Sequence, residues 1–76
     1  MRQMTPMVTV EDRQRLSEIV QRGDASEMMV LRARIVLDSG ARSRREIARE
    51  LGVAAQTVAK WWRRYGAEGI NGLYDR

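Results

Sequence analysis

The sequence contains no cysteine and no histidine. Without cysteine, neither disulfides nor thiolate-bound zinc can staple the fold, and without histidine the commonest metal ligand and general base are missing too. Proline occurs once, at Pro6, and no uninterrupted apolar stretch is longer than Met28 to Leu31. That is far short of the ~20 residues a membrane-spanning helix needs, and the N-terminus lacks the apolar core of a signal peptide. These absences predict a cytoplasmic chain held together by apolar packing, with no membrane partner, cofactor, metal or small-molecule ligand.

At 76 residues the chain makes one small domain, which buries only about 60% of its surface on folding and leaves no space for a second, catalytic one. The acidic residues Glu11, Asp12, Asp24, Asp38, Glu46 and Glu50 read as helix caps and surface charges. No pair of them requires a metal, so no catalytic activity is expected of this chain.

Positive charge is what the sequence has in excess. The net charge is +4, and every basic residue except Lys60 is arginine, whose planar fork suits phosphates and guanine edges. Residues 1–42 carry seven basic and six acidic side chains, whereas residues 43–76 carry seven and four. The surplus therefore lies in the C-terminal half.

Nothing alternates with period two over a strand's length, and the apolar spacing predicts an all-α domain of about four short helices. Residues 1–8 read as a flexible arm whose methionines still cover some core. In the first helix Thr9 is the N-cap, Glu11 and Asp12 complement the dipole, Val10, Leu16, Ile19 and Val20 form one face, and Gly23 is a left-handed cap. Ser26 caps a second helix to about Ser39, apolar on more than one face and hence central, with Gly40 closing it. Ser43-Arg44-Arg45-Glu46 is a capping box opening a third helix. A fourth runs from about Ala55 to Tyr65, ended by Gly66, with 67–76 as a glycine-rich tail.

Residues 44–63 fit a helix-turn-helix. Such a unit needs a branched and then a small residue on its first helix, an apolar anchor, a turn glycine and another apolar residue; Ile47, Ala48, Leu51, Gly52 and Val53 supply them in order. Val58 and Trp61 return to the core one turn apart on the second helix. The opposite face then carries Ala54, Ala55, Gln56, Ala59, Lys60 and Arg63, positions that reach a major groove when such a helix enters N-terminus first. No acidic residue occurs from Ala54 to Tyr65.

Gln56 is the candidate for reading adenine, Thr57 for a phosphate at the helix start, Lys60 for base or backbone, and Arg63 and Arg64 for phosphates, with Arg44 a further DNA-binding candidate. The small Ala54, Ala55 and Ala59 let the backbone approach closely and offer methyls to thymine. Ala54 stands where a Ser, Thr or Asn cap is usual. Trp62 packs partly against the tail around Leu73 or serves DNA or another subunit, and both readings stay open at this point.

Leu31-Arg32-Ala33-Arg34-Ile35-Val36-Leu37, then Arg45 to Val53, then Thr57 to Trp61, and finally Gly69-Ile70-Asn71-Gly72-Leu73-Tyr74-Asp75-Arg76 form a series of motifs. Over roughly residues 10–76 the chain resembles the N-terminal DNA-binding domain of mariner-like transposases of the insertion sequence 630 type. The resemblance implies a homeodomain-like fold, similar to half of a paired-type module, that recognises the element's terminal inverted repeats in double-stranded DNA through Ala54 to Lys60 and Arg63. It also implies a Pro-Arg-rich minor-groove linker and a catalytic domain with three metal-binding carboxylates beyond Arg76. An excised portion, a decayed transposase and a free-standing repressor of transposition all fit this sequence. A dimeric regulator on a palindromic operator and a protein-interaction module are the competing functions, with a homodimer held open by the apolar Met28, Met29 and Leu31.

Overall fold

A computed structural model describes residues 8–39 and 41–74. Among them the elements in order are α1 (Val10–Arg22), α2 (Glu27–Ser39), α3 (Arg44–Leu51) and α4 (Ala55–Glu68), followed by a 3-10 helix over Gly69–Leu73. The all-α expectation holds. Of the expected arm, residues 1–7 lie outside the described residues, as does the proposed closing residue Gly40, while Val8 is half-buried against the core.

The helix starts follow local chemistry. Thr9 accepts from the Asp12 amide and Ser26 from the Met29 amide. At α3 the box is reciprocal, the Ser43 hydroxyl accepting from the Glu46 amide and the Glu46 carboxylate from the Ser43 amide. That donated amide, above all, holds the Glu46 carboxyl below its usual range.

α2 packs against α1, α3, α4 and the 3-10 helix, which makes it the hub of the core. Its buried face comprises Met29, Ala33, Ile35 and Val36 together with Arg32. They meet Leu16 from α1, Ile47 and Ala48 from α3, and Val58, Trp61 and Tyr65 from α4. Met28 is left half exposed.

Three sequence expectations change. Val10 is exposed, because six residues is about one and two-thirds turns at 3.6 per turn, which carries it off the stripe of Leu16. The inward position in that first turn belongs to Asp12, whose carboxylate accepts a 2.7 Å hydrogen bond from the Tyr65 hydroxyl. Gly66 does not end α4, which continues to Glu68; the positive-φ glycine at this end is Gly69, at φ 71° and ψ −155°.

The supposed tail is core for the same reason. Ile70 and Leu73 are buried, and seating them requires the chain to turn after Glu68 rather than three residues earlier. Gly72 lies so close to α4 that a Cβ there would stand 2.5 Å from the Arg64 carbonyl oxygen. Gly72→Ala is therefore expected to destabilise the fold by about 1–3 kcal/mol, the cost of overpacking a filled site, seen as a lower denaturant midpoint; an unchanged midpoint would contradict this packing.

Burial, reinforced by the Asp12 carboxylate, pushes the Tyr65 hydroxyl up to about 12. A raised folded value means the contribution to stability is complete below the ordinary phenol value near 10 and is lost as pH climbs through about 12. Stability of the native chain should fall over that window more steeply than that of Tyr65→Phe; parallel curves in alkaline denaturation would contradict the tie.

Candidate nucleic-acid interface

Between α3 and α4 the chain reverses over Gly52, Val53 and Ala54. Gly52 adopts a left-handed conformation at φ 71°, and its amide together with that of Val53 closes on the Ala48 carbonyl. A side chain other than glycine is strained at such a φ, so the angle between the two helices depends on this residue. Half-buried Leu51 and Val53 pin the turn to the core from either side.

The turn leads into α4, whose buried face shows how the helix is oriented. Val58, Trp61 and Tyr65 face the core, so the opposite side of the helix faces out with Gln56, Lys60 and Arg63 exposed. Gln56, Thr57, Ala59, Lys60 and Arg63 together line one shallow open surface. Ala54 and Ala55 are exposed at its leading end, while Thr57 and Ala59 are half-buried at its edges.

Arg64 and Arg44 are placed differently. Arg64 is half-buried on the flank, its guanidinium carbon 5.3 Å from the Trp61 ring centre, and Arg44 is exposed at the start of α3, not among the residues lining the shallow surface. Trp62 packs against the core and stacks on Tyr65 at 6.0 Å between ring centres.

The electrostatics of this face are one-sided. α4 has no acidic residue in its first turn, and the acids of α3 are engaged elsewhere: Glu46 in the capping box and Glu50 with Arg42. Ala54 has N-cap backbone geometry, φ −75° and ψ 150°, with no side-chain cap. Its carbonyl takes the Thr57 and Val58 amides; the first amides of α4, which have no intrahelical acceptor, add to the positive end of the helix dipole.

Two helices joined by a glycine turn, the second rotated to present a basic outer face, have the form of a groove-reading unit. A family model described as a helix-turn-helix domain matches residues 31–76. The chain belongs to this helix-turn-helix family. No curated protein and no solved structure matches it. Double-stranded DNA is the general partner of helix-turn-helix domains, and α4 is the second helix of this one. The matched span begins inside α2 and includes the 3-10 helix, whereas α1 lies outside it.

Among the described residues no group of three or more acidic residues is placed to hold a metal, and no helix is long and apolar enough to cross a membrane.

The part played by Arg32 shows only in the structure. The side chain is buried at 7% exposure, lies 4.0 Å over the Trp61 ring centre and donates a 2.9 Å hydrogen bond to the Leu73 carbonyl. The available signal was its position one turn from Met29 and Val36, on the apolar stripe of the central helix. The Asp12–Tyr65 bond, spanning 53 residues, had no local signal.

The unfilled cap gives a direct expectation. Ala54→Ser should supply the missing acceptor and stabilise the domain by about 1 kcal/mol, read as a raised melting temperature; no gain would mean that the start of α4 is already satisfied.

Proposed function

We propose that this helix-turn-helix domain reads a specific duplex sequence by laying the N-terminal part of α4 in the major groove. The observation that carries the reading is the exposed, acid-free face of Gln56, Lys60 and Arg63, held outward by Val58, Trp61 and Tyr65 on the opposite side. Gln56 pairs with adenine and Lys60 with a base edge or phosphate. Thr57 and the free amides of the helix start take one phosphate, and Arg63, Arg64 and Arg44 take others. Ala54, Ala55 and Ala59 keep the backbone close enough for their methyls to meet thymine.

The target we infer is the terminal inverted repeat of an insertion-sequence element. It is supported by the resemblance in Arg45 to Val53, Thr57 to Trp61 and Gly69 to Arg76, whose last stretch contains the buried Ile70 and Leu73.

Selection of bound duplexes from a random pool tests both levels. Enrichment of a sequence matching transposon ends supports the finer reading, whereas a palindrome with half-sites one helical turn apart favours a dimeric regulator. Failure to bind any duplex at low salt would remove DNA reading and leave a protein-interaction module.

Two variants separate the roles. Gln56→Ala should cost about 1–3 kcal/mol on the selected site and relax preference at one base pair. Arg63→Ala should weaken all duplexes alike and reduce the salt slope by about 0.9. If Arg63→Ala binds as the native chain does, the proposed docking is wrong.

A further inference from the structure

The Trp61 ring is shared by three cations from two helices. The Arg32 guanidinium lies 4.0 Å from its centre, Lys60 Nζ 4.8 Å and the Arg64 guanidinium 5.3 Å. Lys60 belongs to the outer surface of α4, one residue from the buried indole. Arg32, on α2, is itself buried and also donates to the Leu73 carbonyl, across 41 residues of sequence. One side chain therefore touches the central helix, the core face of α4 and the 3-10 segment together.

A second contact fastens the same segment to α4. Gly72 is buried against the Arg64 carbonyl, with no space for a Cβ. The 3-10 segment is thus seated against the backbone of α4 at Arg64 and fastened through Arg32 to the ring at Trp61, and both attachment points flank Arg63.

From this geometry we infer that Arg32 is a positioning residue for DNA reading, and that the 3-10 segment Gly69–Leu73 is part of the reading unit. The inference rests on the DNA-binding reading of α4. Only a planar guanidinium can lie over an indole and donate in its own plane to a carbonyl; an ammonium is a point charge and cannot satisfy both positions in the same way. Arg32 thereby sets the rotation of α4 about its axis, which decides where Gln56 and Lys60 point.

The test compares Arg32→Met, Arg32→Lys and the native chain by two readouts. The first is the ratio of affinity for the selected duplex to that for an unrelated duplex, measured on the folded fraction. A merely structural loss lowers the folded fraction and leaves the ratio unchanged; mispositioning lowers the ratio by about tenfold, as for a lost base contact. The second readout needs no DNA: backbone amide spectra should change from Gln56 to Lys60 as well as at Trp61 and Leu73.

Arg32→Lys retains the buried charge and serves where Arg32→Met does not fold. An unchanged ratio, with spectral changes confined to α2, Trp61 and Leu73, overturns the inference. If the native chain binds no duplex, the DNA reading fails, and the amide spectra alone still decide whether Arg32 sets α4.

Discussion

Trp61 is where α4 is fastened to the rest of the domain. Its indole is almost fully buried beneath Arg32, in a core built from α2 and closed by Ile70 and Leu73. A helix presents its two faces about half a turn apart, so fixing the inward direction at Val58, Trp61 and Tyr65 fixes the outward direction at Gln56, Lys60 and Arg63. Packing and function are therefore one constraint seen from opposite sides of a cylinder.

That constraint explains why α4 accepts poor local chemistry elsewhere. Its start has no side-chain cap, only the Ala54 carbonyl, a deficit of about 1 kcal/mol relative to a serine or aspartate. An acidic cap would set a negative charge at the end of the helix that we propose meets phosphate, whereas alanine leaves that end smooth and the dipole uncompensated. α3, whose acids lie outside the shallow surface on α4, keeps a complete capping box.

Local rules made much of this visible in the sequence. Ser43 and Glu46 announce α3, Gly23 and Gly52 have the left-handed angles expected of helix ends, and the spacing of Ile47, Ala48, Val58 and Trp61 predicts their burial. The outer face of α4 follows from the same periodicity. What stayed hidden depends on contacts distant in sequence: Arg32 with Leu73, Asp12 with Tyr65, and the burial of the 3-10 segment. Gly66 misleads because a glycine permits a helix end without requiring one, and only the seating of Ile70 and Leu73 decides that Gly69 is the residue that turns.

The central claim is that the outer face of α4 meets duplex DNA, and amide shifts during titration with a selected duplex test it residue by residue. The largest changes are expected from Ala54 to Lys60 and at Arg63, with little change along the exposed side of α1. Largest changes on α1 or at Met28, with Gln56, Lys60 and Arg63 unmoved, would contradict it.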